Sequence, residues 1–206
     1  RPELNGKIQV VAINDLGATE MNLHLTQFDT THGRFNQPVS VDEDHLIIGS
    51  DRIRMLSERD PKQLPWEQLS VDIVFECTGL FTDREAARRH IAAGAKRVLV
   101  SAPGQHMDAT VVYGINHATL TEVDVIVSNA SCTTNCLAPI ARALNDSIGI
   151  EQGLMTTIHA YTNDQNLSDV AHNDPYRARA AAHSMIPTKT GAAAAIGLSL
   201  IHISEP

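Results

Sequence analysis

The sequence predicts an α/β protein with a doubly wound parallel sheet, followed by the start of a second, α+β domain. The first observation is that short β-branched apolar runs alternate with helical segments along most of the chain. The second is a change in sequence pattern after Gly149, where residues 162–179 form a long polar segment with few patterns typical of helices or strands. We therefore place a domain boundary near Ser131 and Cys132, with domains at 1–131 and 132–206.

Each element follows from a local pattern. Residues 8–13 (I-Q-V-V-A-I) are β-branched and end in Asn-Asp, as a buried parallel strand does. Other apolar runs are bounded by turn residues. They predict short antiparallel strands at 39–41, 46–48 and 53–56, a buried strand at 71–77, and strands at 97–100, 125–127 and 154–159. Helices are predicted at 21–28, 84–93 and 132–146.

Composition excludes several classes of protein. Asp and Glu number 24 against 16 Lys and Arg, and aromatic residues are only 4%. The net charge of -8 argues against a nucleic-acid partner or an anionic membrane surface, both of which favour basic patches. Three cysteines are too few for a disulfide framework, so we expect a reducing, cytoplasmic setting. No apolar run approaches the roughly 18 residues of a membrane span.

The strongest functional signal is S-N-A-S-C-T-T-N-C at residues 128–136. A strand ends, small polar residues make a turn, and a helix begins, so Cys132 lies near a helix N-terminus. The helix dipole and the free amides there favour a thiolate. Ser131 and Thr133 add hydroxyls beside amides that can hold a phosphate or an oxyanion. A nucleophile and a small buried residue beside helix caps both fit this pattern.

His159 is the predicted partner of Cys132, because it ends the strand predicted at 154–159. An imidazole beside a thiol raises the thiolate population and carries protons. A hydrogen-bonded structural histidine also fits this position. Cys136, four residues after Cys132, leaves a metal site or a redox pair open, but no second ligand pair accompanies it. We expect Cys136 to be packed near the site and Cys77 to be buried.

Weaker signals lie elsewhere. Asp15 follows a strand, where the acid of a dinucleotide fold binds ribose, although no G-x-G-x-x-G turn precedes it. A turn or helix cap would equally place an aspartate there. Thr190 and Gly191 precede an Ala-rich helix and either offer a hydroxyl and an amide to a phosphate or merely cap that helix. Arg177 and Arg179 are either anion ligands or surface charges.

Together these segments closely resemble the phosphorylating glyceraldehyde-3-phosphate dehydrogenases. The matching motifs are S-N-A-S-C-T-T-N-C-L-A-P, H-A-Y-T-N-D-Q, R-A-R-A-A-A and S-M-I-P-T-K-T-G-A-A, of which the first is highly specific. The resemblance extends from about Val10 to Leu198. It implies a Rossmann-type NAD-binding domain in residues 1–131 and part of a catalytic domain in residues 132–206.

The resemblance also implies a role for each matching residue. Cys132 would attack the aldehyde of glyceraldehyde 3-phosphate, and His159 would activate the thiol and act as base during hydride transfer. Inorganic phosphate would then release the thioester as 1,3-bisphosphoglycerate, a step of glycolysis. Phosphate contacts would come from Ser131, Thr133, Thr162, Arg177, Thr190 and Gly191, and dinucleotide contacts from Asp15, Arg59, Thr78 and Ser101; no metal is implied.

The sequence departs from the family at both ends. The first strand and its glycine-rich turn are missing, and family members continue well past residue 206. Residues 199–206 (S-L-I-H-I-S-E-P) do not fit the expected continuation, so we expect them to be non-native. We therefore expect a truncated enzyme, inactive as these 206 residues alone and a homotetramer in its full-length form.

The cofactor and the reaction are each open to a second interpretation. Asp15 favours NAD, because a carboxylate repels the extra phosphate of NADP. Ala171 stands where strictly NAD-dependent relatives often have proline, so NADP stays open. Erythrose-4-phosphate dehydrogenase shares the cysteine motif, but Y-T-N-D-Q and P-T-K-T-G-A-A favour the glyceraldehyde enzyme. A non-catalytic binding protein of the same fold would also fit the missing ends. A zinc module using Cys132 and Cys136 would need two further ligands.

Overall fold

The structure is a computed structural model that describes residues 6–192, and within them it consists of short strands, three α-helices and two short 3-10 helices (Pro61–Gln63 and His117–Thr119). The first sheet has the order β1-β6-β5-β4. Its strands are β1 (Ala12–Asn14), β4 (Val39–Asp42), β5 (His45–Ile48) and β6 (Asp51–Leu56). β1 and β6 pair in parallel, whereas β4, β5 and β6 form the predicted antiparallel strands. Helix α1 (Thr19–Gln27) and a ribbon of β2 (Phe28–Asp29) and β3 (Gly33–Arg34) connect β1 to β4.

The second sheet is entirely parallel, with the order β7-β8-β10-β9. It contains β7 (Ile73–Glu76), β8 (Arg97–Val100), β9 (Ala109–Thr110) and β10 (Ile126–Ser128). Helix α2 (Arg84–Ala92) crosses from β7 to β8, and α3 (Cys132–Ile148) follows β10. This parallel sheet with a crossover helix confirms the predicted α/β class.

Helix α2 shows how local sequence sets this crossover. The Asp83 carboxylate accepts the backbone N–H of Glu85 at 2.9 Å and caps the first turn. Gly94 follows the helix at a φ of 103°, and a Cβ there would lie 2.6 Å from the backbone nitrogen of Glu67. Between these ends, fully buried Ala87 packs against Val98, Val100 and Ile126 of the sheet. This packing holds the helix against the strands whose carboxyl ends carry the candidate site.

The first sheet has its own core, which gives a stability prediction. Leu46 is fully buried and packs with Ile53 and Met55. Because Leu46→Ala leaves a cavity, we expect it to lower the free energy of unfolding by about 2–5 kcal/mol in urea titrations. The matched control Leu80→Ala, at a residue that is mostly exposed, is expected to change it by no more than about 0.5 kcal/mol. Equal effects of the two variants would contradict this assignment of the core.

Two predicted buried strands lie at sheet edges instead. The strand predicted at 8–13 is confined to Ala12–Asn14, and Ile8 and Val10 are more than half exposed. β7 is shorter than predicted, and its Ile73 and Phe75 are also more than half exposed, whereas Val74 is buried. Within residues 6–192, β1 pairs only with β6 and β7 only with β8. Each edge strand therefore buries one set of alternating side chains and leaves the other open.

The strand predicted at 154–159 is absent. This segment has no regular structure, and Leu154 and Ile158 are almost entirely exposed. Over residues 149–192 the pairing found is one isolated bridge, Asn166 with Ala180. Because no neighbouring strand within the described residues supplies a hydrogen-bond ladder to 154–159, apolar β-branched content alone does not make a strand there.

The tail predicted to be non-native, 199–206, lies outside the described residues, as do residues 1–5. Within residues 6–192, every helix falls short of the length and apolar content that crossing a lipid bilayer requires.

Candidate active site

The turn between β10 and α3 places Cys132 as the first residue of a helix. Ser128 is buried, and its hydroxyl donates to the Ala102 carbonyl at 2.7 Å and accepts the backbone N–H of Ala130 at 3.0 Å. Ser131 is extended, and its Oγ accepts the backbone N–H of Thr134 at 3.0 Å as the helix cap. Cys132 is thereby exposed beside the positive end of the α3 dipole.

Cys132 and His159 are in contact, with 3.2 Å between Sγ and Nε2. His159 donates through Nδ1 to the Ala160 carbonyl at 2.5 Å, so Nε2 is the nitrogen that faces the thiol. The hydrogen bond with His159 lowers the pKa of Cys132, with help from the Thr133 backbone N–H and against the opposing effect of burial. The Ala160 carbonyl and then Cys132 raise the pKa of His159. Both shifts favour a thiolate beside an imidazolium.

The residues predicted to bind phosphate divide into two groups. Ser131 and the buried Thr133 flank Cys132 on the first turn of α3. Arg177 lies in a separate loop cluster, where its Nε donates to the Thr188 hydroxyl at 3.1 Å. That contact places Arg177 beside the segment that contains Thr190 and Gly191. In this segment the Thr190 Oγ1 accepts the backbone N–H of Ala192 at 3.2 Å.

Two aspartates beside Arg177 were not among the predicted site residues. Asp164 forms an ion pair with the Arg177 guanidinium, and Asp174 lies 3.8 Å from its Nε. Asp174 also accepts the Thr188 hydroxyl at 3.1 Å. Thr162 joins this cluster, because its Oγ1 accepts the backbone N–H of Asp164. The polar composition of 162–179 was the available signal, but composition does not show which carboxylate meets which cation.

The four residues predicted to bind the dinucleotide all follow parallel strands. Asp15 comes directly after β1, and Arg59 lies beyond the end of β6. The Asn14 side chain joins these two loops through Glu58, donating to its carbonyl at 2.9 Å and accepting its N–H at 2.8 Å.

Thr78 and Ser101 form the other pair of these residues. They follow β7 and β8, and the Ser101 N–H donates to the Glu76 carbonyl at 3.0 Å. All four predicted dinucleotide residues are exposed, at the strand ends where open α/β sheets bind ligands.

Two protein-family models each match a part of this chain. Residues 3–84 match the NAD binding domain of glyceraldehyde 3-phosphate dehydrogenase, and residues 131–205 match its C-terminal domain. The chain belongs to the glyceraldehyde-3-phosphate dehydrogenase family. The resemblance seen in the motifs is therefore confirmed. The second match includes residues 199–205, for which a non-native origin stays a prediction.

Individual glyceraldehyde-3-phosphate dehydrogenases match closely. The chromosomal enzyme of Cupriavidus necator is 59% identical over 192 residues, which cover 93% of this chain and 57% of the relative. The Pseudomonas aeruginosa enzyme is 61% identical over 94% of the chain and 58% of its own length. Glyceraldehyde-3-phosphate dehydrogenase 2 of Bacillus subtilis is 51% identical over 97% of the chain and 59% of its own length. The chain thus spans less than two thirds of these curated relatives.

Two predictions about the other cysteines of this chain are wrong. Cys77 and Cys136 are both exposed. Cys77 comes just after edge strand β7, and Cys136 lies on the open side of α3, whose buried residues include Thr134, Ala138 and Ala141. Within residues 6–192, no group of three or more His, Cys, Asp or Glu side chains is placed to hold a metal ion. The zinc hypothesis therefore gains no support from the described residues.

Proposed function

We propose that the protein carrying this chain oxidises and phosphorylates glyceraldehyde 3-phosphate to 1,3-bisphosphoglycerate with NAD, as a step of glycolysis. The observation that carries the proposal is the 3.2 Å contact between Cys132 and His159 at the N-terminus of α3. A thiolate that faces an imidazolium and free helix amides is suited to attack a carbonyl carbon and to stabilise the resulting oxyanion.

His159 moves one proton in this proposal. The Cys132 Sγ bonds to the aldehyde carbon, and the carbonyl oxygen takes the proton from His159 Nε2 to give a hemithioacetal. NAD, when bound, supplies the hydride acceptor. As the C–H bond of the hemithioacetal breaks and its hydrogen leaves as a hydride, Nε2 takes back the hydroxyl proton and the thioester forms. A phosphate oxygen then attacks the thioester carbon, and the Cys132 thiolate leaves with the electron pair of the broken C–S bond.

Two groups of residues contact the two phosphates of the reaction, the inorganic phosphate and the phosphate of the substrate. Ser131, Thr133, Thr190 and Gly191 bind the attacking inorganic phosphate through hydroxyls and amides. Thr162, directed towards the phosphate of the substrate, and Arg177 supply the remaining contacts. Arg177 lies beside members of both groups, because its hydrogen bond with Thr188 holds the guanidinium near the Thr190 loop and its ion pair with Asp164 holds it near Thr162.

The four residues at the strand ends suit a dinucleotide. Asp15, Arg59, Thr78 and Ser101 present a carboxylate, a guanidinium and two hydroxyls, which are groups that bind sugar hydroxyls and phosphates. The exposed Asp15 carboxylate favours NAD over NADP. We further propose a homotetramer in the cytoplasm for the whole protein.

The experiment measures the reduction of NAD by the whole protein, purified from its natural source. NAD, glyceraldehyde 3-phosphate and inorganic phosphate are expected to give reduced NAD, and omission of phosphate is expected to stop turnover after one equivalent per site. Erythrose 4-phosphate is expected to give a lower kcat/KM. A higher kcat/KM for erythrose 4-phosphate, or sustained turnover without phosphate, would contradict the proposal.

A further inference from the structure

A buried polar chain leads from the interior to Thr78. Trp66, His90 and Glu76 are 5%, 4% and 3% exposed. The Trp66 indole N–H donates to His90 Nδ1 at 3.0 Å, and His90 Nε2 lies 2.8 Å from Glu76 Oε2. The other carboxylate oxygen, Oε1, accepts the backbone N–H of Thr78 at 2.7 Å and the Thr78 hydroxyl. The proposed reaction uses neither His90 nor Glu76.

The donors among these four hydrogen-bonded residues determine which atoms of His90 and Glu76 carry protons. An indole nitrogen only donates, so His90 Nδ1 must accept, and the ring proton of neutral His90 is on Nε2. That N–H donates to Glu76, which is therefore an ionised acceptor. Burial raises the pKa of Glu76, but the hydrogen bonds from His90 and Thr78 outweigh burial and lower it. With this one arrangement of protons, every hydrogen bond between Trp66, His90, Glu76 and Thr78 has a donor and an acceptor.

This arrangement restricts what the Thr78 hydroxyl can do. Its proton goes to Glu76, and one of its lone pairs accepts the Leu80 backbone N–H at 3.1 Å. One lone pair remains, and Thr78 is exposed at the end of β7. The hydroxyl can therefore accept a hydrogen bond from a ligand but has no proton to donate. Ionised phosphate oxygens only accept, whereas sugar hydroxyls donate.

We propose that Trp66, His90 and Glu76 are positioning residues that orient Thr78 to accept a hydrogen bond from a sugar hydroxyl of the dinucleotide rather than to bind its phosphates. The choice of ligand rests on the proposed function. The proton arrangement does not, because it follows from contacts within the protein.

Nitrogen NMR of the wild-type protein tests the proton arrangement without any variant. We expect His90 to be neutral and protonated on Nε2 at neutral pH, with the side-chain resonance of Trp66, the single tryptophan, shifted by its hydrogen bond. Protonation of His90 on Nδ1 would overturn the proposal. A wild-type protein that binds no NAD would refute the cofactor assignment instead, and the NMR result would still decide the proton arrangement.

Two variants test the positioning of Thr78. Gln at position 90 can accept from Trp66 and donate to Glu76, whereas Leu can do neither. We expect His90→Leu to weaken NAD binding about fivefold, the effect of one hydrogen bond, and His90→Gln to change it by less than about twofold. The Thr78 amide resonance should move in the Leu variant only. Equal losses or equal amide shifts in the two variants would overturn the proposal.

A double-variant cycle separates positioning from general stability. In a Thr78→Val background the hydroxyl is gone, so we expect His90→Leu to cause no further loss of NAD affinity. A further loss as large as that in the wild-type background would contradict action through Thr78. An NAD analogue that lacks its ribose hydroxyls should bind wild type and Thr78→Val equally, and a persisting difference would contradict the sugar contact.

Discussion

Replacement of Cys132 by serine is expected to lower the turnover of glyceraldehyde 3-phosphate by about 10³-fold or more, since loss of a nucleophile commonly costs that much. A serine hydroxyl keeps the shape of the site, but an alcohol is far less acidic than a thiol, so the contact with His159 does not turn it into an anion. The measurement is the rate of NAD reduction in the presence of substrate and phosphate, with circular dichroism to confirm folding.

Cys136→Ser is the matched control for this prediction. Cys136 is exposed on the same helix, and its substitution makes the same chemical change, but the proposed reaction does not use it. We expect the control to retain activity within about twofold, since exposed substitutions away from a site have small effects. Undiminished turnover in Cys132→Ser, or equal losses in the two variants, would remove Cys132 from the role of nucleophile.

Replacement of His159 by asparagine is expected to give the second large effect, a fall in turnover of about 10²- to 10⁴-fold for the loss of a general base. The pKa of Cys132 should also rise towards its ordinary value, because its main lowering contact is the hydrogen bond with His159. Below that pKa, each unit of increase reduces the thiolate fraction about tenfold.

Alkylation by iodoacetamide measures this pKa directly. The rate at Cys132, followed by mass spectrometry of its peptide, should rise with pH through a midpoint below that of an ordinary thiol. In His159→Asn the midpoint should move to higher pH, because the neutral side chain no longer favours the thiolate. Cys77 and Cys136 are exposed internal references whose rates should not change. An unaltered midpoint for Cys132 would contradict the pairing.

Much of the local structure is predictable because its causes are local. Helix α2 has its cap at Asp83 and its glycine at 94, and β8 is found at the predicted residues. The N-terminal position of Cys132 likewise follows from the small polar turn before α3. In each case the deciding residues are close together in the sequence.

The features that sequence patterns miss depend on distant partners. Residues 154–159 have strand-like composition but no neighbouring strand among the described residues, and edge strand β7 exposes Phe75 for the same kind of reason. The contact between Trp66 and His90 spans 24 residues, and that between His90 and Glu76 spans 14. Nothing local in the sequence indicates that these polar groups meet inside the protein.

The most direct test of the proposed chemistry is to trap the acyl enzyme. The protein is incubated with glyceraldehyde 3-phosphate and NAD without inorganic phosphate, quenched in acid and digested for mass spectrometry. The mechanism predicts a 3-phosphoglyceroyl thioester on the Cys132 peptide, lost when phosphate is added before the quench and absent in Cys132→Ser. No adduct on Cys132 under conditions of NAD reduction, or an adduct on another residue that phosphate releases, would contradict it.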